Sequence, residues 1–274
     1  MKDSFESFKD IGPHKWVINV RGSYKLKTIL YLQEHLGEKL YPNLIESKRG
    51  WFHDTREMLS QIDTDFVFFW IEDHINLVKT NKYAQILNDM KKNDVDHLIY
   101  SFWHDGELDK SKSRYIDGIP TDNFNIYRIN SENIDKIEKG EKHFFTIISV
   151  VGFFSRKMFC KVVNSDHPRL KRWPKETPFD FEKRSTDKEF IDFNLAIPKY
   201  ELFANIDDDH GDEGYSLISR GLYKNKVSRE KIQEMEYDNK ISKFKYDHLI
   251  PKRILGILII ISRIFRRIRL TLKN

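Results

Sequence analysis

The 274-residue chain contains a single cysteine, Cys160, which excludes an intramolecular disulfide, a four-cysteine zinc site and a CxxC redox motif, and fits a reducing compartment. The N-terminus MKDSFESFKDIGPHK has no apolar core segment, so no secretory signal is read there. Walker, GxGxxG, HExxH and GxSxG signatures are missing, which sets aside P-loop NTPases, simple Rossmann dehydrogenases, zincins and α/β-hydrolases. There is no internal repeat and no Gly/Ser linker, so one domain over residues 1–250 with a tail over 251–274 is the simplest division. That tail lacks acids altogether, yet carries Lys252, Arg253, Arg263, Arg266, Arg267, Arg269 and Lys273. The whole chain is +5 and the tail +7, which leaves the body at −2 and argues against a nucleic-acid footprint spread over the fold. What the chain has in quantity is aromatic residues, 14% of the total, which excludes general disorder.

From residue 15 short β-rich runs alternate with amphipathic segments. HKWVINV predicts a strand, YKLKTILYLQEHLG a helix closed by Gly37, and LYPNLIES a second strand or extended segment. HDTREMLSQI predicts a helix with Asp54 as its cap, and residues 66–71 a strand apolar on both faces, as in the middle of a covered sheet. Residues 81–92 predict a helix and DHLIYSFW a strand. This β-α-β-α-β-α-β order predicts a mostly parallel sheet with helices on both faces. Residues 105–142 are polar and predict loops with short strands, HFFTIISVVGFFSRKMFCKVV a strand that turns at Gly152 into a short helix, and residues 177–195 another helix.

Three clusters carry candidate chemistry. Glu72-Asp73-His74 follows the most apolar strand, where open α/β sheets place ligands; carboxylates and imidazole suit Mg²⁺ or Mn²⁺, and the alternative is a solvated strand end. Asp207-Asp208-Asp209-His210-Gly211-Asp212-Glu213 concentrates charge that must be either solvated or neutralised by a cation, and ELFANI before it predicts a strand delivering His210 to a site. The run fails as an EF-hand, since Ile218 stands where a bidentate Glu is needed. In Thr177-Pro178-Phe179-Asp180-Phe181-Glu182 the alternation buries both rings and aims Asp180 and Glu182 to one side, where a carboxylate can serve as general base; a plain amphipathic segment has the same pattern. Arg21, after the first strand, and Arg220, after the acidic run, are candidates to hold a diphosphate by paired hydrogen bonds, or else to form surface salt bridges.

Taken together, residues 16–223 resemble the GT-A class of nucleotide-sugar glycosyltransferases, particularly the bacterial enzymes that build surface polysaccharides. In that class a strand and helix are followed by a second strand that holds base and ribose, then by a helix and a strand ending in an acidic DxD-type motif. DTREMLSQIDTDFVFFWIEDH is similar to that last helix, strand and motif, with His74 where a second acid is usual. The resemblance implies an α/β, GT-A-like (Rossmann-like) fold. It implies donor binding by Arg21, Glu46, Asp54 and Arg220, a Mn²⁺ or Mg²⁺ held by Glu72, Asp73, His74 and His210, and a catalytic base at Glu182 or Asp180. A cation bridging the diphosphate takes up charge as the sugar departs, while the carboxylate deprotonates the attacking hydroxyl.

The longest unbroken apolar stretch of the tail after Gly256 is residues 257–261, and the helix 254–261 would span roughly 12 Å against about 30 Å of hydrocarbon. Ile254, Ile257, Leu258, Ile261, Ile264, Phe265, Ile268 and Leu272 fall at steps of three or four, with Arg263, Arg266 and Arg267 off that stripe. The pattern predicts an amphipathic helix lying in an anionic membrane interface, with docking on a partner as the alternative. The expectation is a glycosyltransferase, peripheral on the cytoplasmic face of a bacterial membrane, that uses a nucleotide sugar to extend a lipid-linked glycan. A nucleotidyltransferase with a related sheet, or a non-catalytic membrane-associated scaffold, is the alternative.

Overall fold

The computed structural model describes residues 1–99, 113, 116–140, 147, 151–165, 175–178, 181, 191–206, 216–218, 220 and 222–223. The chain divides into two compact units, Met1–Arg220 and Gly221–Asn274. The basic tail 251–274 belongs to the second and lies outside the described residues, as do Asp180, Glu182 and His210.

The N-terminal half follows the sequence closely. Strands β1 (Trp16–Asn19) and β2 (Leu40–Asn43) pair in parallel, joined by helix α2 (Lys25–Leu36), which ends at Gly37. A short helix α1 (Lys2–Phe8) precedes them and buries Phe5 and Phe8 completely, the first edge-on to Trp16 and the second against Phe203. Helix α3 (Trp51–Met58) leads to β3 (Phe66–Phe69). Helix α4 (Asn81–Lys92) buries Tyr83, Ile86 and Met90, the three- and four-residue spacing of one helical face, and is followed by β5 (His97–Ile99). Between β3 and α4 lies a strand that the sequence did not announce, β4 (His74–Asn76).

The main sheet departs from the expected mostly parallel one. It has six strands in the order β3-β8-β5-β9-β7-β6, with β6 at Ile119–Pro120, β7 at Phe124–Ile129, β8 at Gly152–Ser155 and β9 at Phe193–Pro198. Among the described residues β5·β9 pairs in parallel and β3·β8, β5·β8, β7·β9 and β6·β7 are antiparallel, so the sheet is mixed. The reversal comes from β8, which inserts between β3 and β5 and pairs with both, placing Phe153 stacked on Phe68 and Phe154 stacked on His97. In consequence β3 is an end strand of this sheet with all four residues half-buried, rather than a fully covered central strand. The antiparallel pair β7·β9 is six residues long, so the polar stretch 105–142 contains a substantial strand. It also contains helix α5 (Ser131–Gly140), which sequence reading missed, although Asn130 gives the signal by accepting the Asn133 N–H at 3.0 Å.

Helix α6 (Arg156–Val163) starts directly from β8, its N-terminus closed by the Ser155 hydroxyl accepting the Met158 N–H. Of the helix expected within 177–195, residues 193–195 are instead the beginning of β9. Finally β10 (Phe203–Asn205), the expected ELFANI strand, forms a separate two-stranded antiparallel sheet with β4.

Candidate functional site

Two polar clusters stand at the ends of these strands. The first is built by the β1–α2 and β2–α3 connections. Arg21, one residue beyond Val20 at the end of β1, donates to the carboxylate of Asp54, whose oxygens also accept the Ser47 N–H at 3.2 and 3.3 Å. His53 Nδ1 lies 3.4 Å from the same carboxylate. Asp54 is therefore not the helix cap expected of it: Gly50 occupies that position, and Asp54 sits in the first turn, completely buried. Burial works against its charge, but the hydrogen bonds from Ser47 and the Arg21 guanidinium outweigh it and hold the carboxyl below the usual Asp range. Glu46 is exposed beside Ser47. Two of the four expected donor-binding residues, Arg21 and Asp54, thus meet near the C-terminal ends of a parallel strand pair, with Glu46 next to Ser47 along the chain.

The fourth does not join them by any described contact. Arg220 forms a two-bond fork with Glu201, both bonds 2.8 Å and both side chains about 85% shielded, so its guanidinium is engaged in anchoring its own segment to the start of β10.

The second cluster is the Glu72-Asp73-His74 turn, which carries the chain from the main sheet into the small one. Glu72 is exposed and Asp73 half-exposed, while His74 is buried. His74 Nδ1 lies 2.6 Å from Asp73 Oδ1, so the imidazole orients the carboxylate. Opposite His74 in the β4·β10 ladder stands Asn205, and directly opposed residues project to the same face. Asn205 is 3% exposed, and its Oδ1 is buried with no hydrogen-bond partner among the described residues. Sequence reading passed over this residue because an asparagine at a strand end usually reads as a turn former.

The pairing of β10 with β4 also fixes where the acidic run begins. Ile206 donates its N–H to the Asp73 carbonyl at 2.7 Å; after the run, Leu217 and Ile218 return to the carbonyls of Asn205 and Ile206, each at 3.0 Å. The residue before 207–215 is therefore tied to the Asp73 turn, and the residues after it to the end of β10; the expected meeting of residues 72–74 with His210 falls on a residue outside the described ones. No group of three His, Cys, Asp or Glu side chains capable of holding a metal occurs among the described residues. Of the donors that are described, the Asp73 carboxylate and the orphaned Asn205 oxygen are hard ligands of the kind Mg²⁺ or Mn²⁺ takes, while the His74 imidazole is a borderline one that Mn²⁺ accepts more readily than Mg²⁺.

The two clusters are connected through packing. Trp51, the first residue of α3, lies edge-on to Phe69 at the end of β3, 5.2 Å between ring centroids. The backbone just before it is locked to Glu176: Trp51 N–H donates to the Glu176 carbonyl and Glu176 N–H to the Arg49 carbonyl, each at 2.9 Å. Glu176 is itself buried, and Phe181 is fully buried against Phe52 of the same helix. One of the two rings expected to anchor the Phe179–Glu182 segment thus does so, beside α3; Phe179 and both candidate bases lie outside the described residues. No protein-family model and no curated protein matches the chain.

Proposed function

We propose that the chain is a metal-assisted glycosyltransferase of GT-A-like architecture, transferring a sugar from a nucleotide-sugar donor to a glycan acceptor, lipid-linked, at the cytoplasmic face of the membrane. One observation carries the reading: Ile206, just before residues 207–215, is hydrogen-bonded to the Asp73 turn, and Leu217 and Ile218, just after them, to Asn205 and Ile206 at the end of its partner strand. An acidic run that leaves and returns beside a carboxylate-bearing turn must be either solvated or neutralised by a cation, and this reading takes the second. In this reading Asp73, His74, Glu72 and His210 hold Mn²⁺ or Mg²⁺, with Asn205 as an added oxygen donor. Arg21, Glu46 and the Ser47–Asp54 cluster take the nucleoside side of the donor, and Arg220 stabilises the segment that returns from the acidic run.

The bound cation supplies charge neutralisation of the diphosphate. The acceptor hydroxyl gives its proton to a carboxylate, Glu182 or Asp180, as its oxygen bonds to the anomeric carbon. The bond from that carbon to the diphosphate oxygen breaks, and the electron pair leaves with the nucleoside diphosphate. No helix among the described residues is long and apolar enough to cross a membrane, so attachment rests on the basic amphipathic segment 251–274.

The decisive experiment screens nucleotide sugars and free nucleotides by thermal shift with and without Mn²⁺, followed by sugar-release and pyrophosphate assays on any ligand that binds. Metal-dependent stabilisation by a nucleoside diphosphate sugar, lost in Asp73→Asn, is the expected result. Pyrophosphate release from a nucleoside triphosphate would replace this reading with nucleotidyl transfer, and no binding of any member of the panel would overturn both.

A further inference from the structure

Helix α2 presents an unusual outer face. Its inner side is ordinary: Leu32 is buried, and Tyr31 packs edge-on to Phe5. On the side turned away from Leu32 stand Leu26 and Leu30, one helical turn apart and 65% and 71% exposed, and Tyr24 at the N-cap is 74% exposed. Scattered exposed apolar residues are normal on a protein surface; three of them within seven positions, two on one helical stripe, form a patch.

The charges at the N-terminal end of the patch are one-sided. Between residues 21 and 33 there are Arg21, Lys25 and Lys27 and no Asp or Glu; Glu34 is the first acid, a full turn beyond Leu30. Arg21 is paired with Asp54, whereas Lys25 and Lys27 form no ion pair among the described residues. A large apolar side chain exposed beside lysines whose stems reach outward is the arrangement of an interfacial helix, in which leucine and tyrosine enter the headgroup boundary and ammonium groups meet anionic lipid. An anionic lipid interface satisfies the exposed leucines and these two lysines together.

We propose that the first two turns of α2, with Tyr24, form a membrane-contact face that inserts Leu26 and Leu30 into an anionic lipid interface. This rests on the reading of the chain as a peripheral membrane enzyme, and adds a contact within the folded unit that is separate from the basic tail. Two contacts act together, because a weak second site becomes effective once the first holds the protein at the surface. The consequence is proximity: Tyr24 is three residues from Arg21 along the chain, so insertion at Tyr24 would hold the donor-binding cluster near the lipid surface.

The test uses the full chain with Cys160→Ser and Leu30→Cys carrying an NBD fluorophore, mixed with vesicles of phosphatidylcholine and phosphatidylglycerol with or without spin-labelled lipid. A second protein labelled at exposed Gln85 of α4 is the control. The expected result is a blue shift and spin-label quenching at position 30 and neither at position 85. Leu26→Ser with Leu30→Ser, or Lys25→Glu with Lys27→Glu, should lower vesicle partitioning roughly tenfold without moving the thermal midpoint, since these side chains pack on little of the core.

If the chain cosediments with vesicles while the probe at position 30 stays water-like, the tail alone makes the contact and this inference falls while the membrane reading stands. Wild type that ignores anionic vesicles overturns both. A blue shift that depends on protein concentration without lipid assigns the face to a second copy of the chain, and also overturns the proposal.

Discussion

Gly50→Ala tests the junction on which the donor-binding cluster is built. Gly50 has φ 111° and ψ −151°, a region open essentially to glycine alone, and a Cβ added there would lie 2.5 Å from both the nitrogen and the oxygen of Glu176. The backbone cannot move away without breaking the two hydrogen bonds that flank it, Trp51 to Glu176 and Glu176 to Arg49. Conformational strain of this kind costs about 1–3 kcal/mol, and the two hydrogen bonds about 0.5–1.5 kcal/mol each, so the substitution should lower unfolding free energy by roughly 2–6 kcal/mol against a typical total of about 5–15. Gly12→Ala is the matched control: φ is 79°, but nothing lies within 4 Å of the added Cβ, so only strain of about 1–2 kcal/mol is expected. Urea unfolding of both variants, with the slope checked for constancy, measures the difference. Because Asp54 N–H bonds the Gly50 carbonyl, and the Ser47 hydroxyl accepts the N–H groups of Arg49 and Gly50, the same substitution should also weaken donor-induced thermal stabilisation. Equal destabilisation by the two alanines would refute the close approach of Glu176.

Three further outcomes follow from the buried charges. His97 is fully buried, stacked on Phe154, with Nδ1 bonded to the Phe153 carbonyl; burial pushes its pKa down to about 3, so it stays neutral in the fold while the unfolded chain takes up a proton below about 6.5. Its contribution is present above that pH and is lost as pH falls towards 3, by about 1.4 kcal/mol per unit, and His97→Phe should flatten this slope in unfolding titrations. Asp54 acts lower on the scale: its depressed carboxyl contributes stability above the ordinary value of 3.8 that disappears as pH falls below it, so Asp54→Asn should remove this acid-side loss while weakening the Arg21 contact at neutral pH. Glu201→Gln should lower unfolding free energy by roughly 1–3 kcal/mol by leaving the Arg220 fork half made, a result that equilibrium unfolding reads directly and that no change in stability would contradict.

The sequence alone determined the elements whose signals are local. Trp16–Asn19, Lys25–Leu36 and Asn81–Lys92 are set by a β-branched run, a closing glycine and apolar residues at helical spacing, and each stands where those patterns put it, as does Leu40–Asn43 in the extended segment LYPNLIES. The Glu72-Asp73-His74 turn and the strand before the acidic run were legible for the same reason: polar groups placed just after apolar strands emerge at a sheet edge. Helix α5 was missed because its surroundings are polar and its one clear signal, the Asn130 cap, is a single residue.

What only the tertiary structure decided is direction and partnership. A four-residue apolar strand such as Gly152–Ser155 has the same composition whether it runs parallel or antiparallel, and its insertion between β3 and β5 is settled by contacts more than fifty residues away in sequence. The role of Asp54 changed from cap to buried acceptor because Gly50, held by distant Glu176, took the helix start. Asn205 gained its importance only by standing opposite His74. Side-chain periodicity records which face of an element is apolar, but it does not record which other element covers that face; that choice depends on packing and hydrogen bonding between segments that local pattern cannot encode.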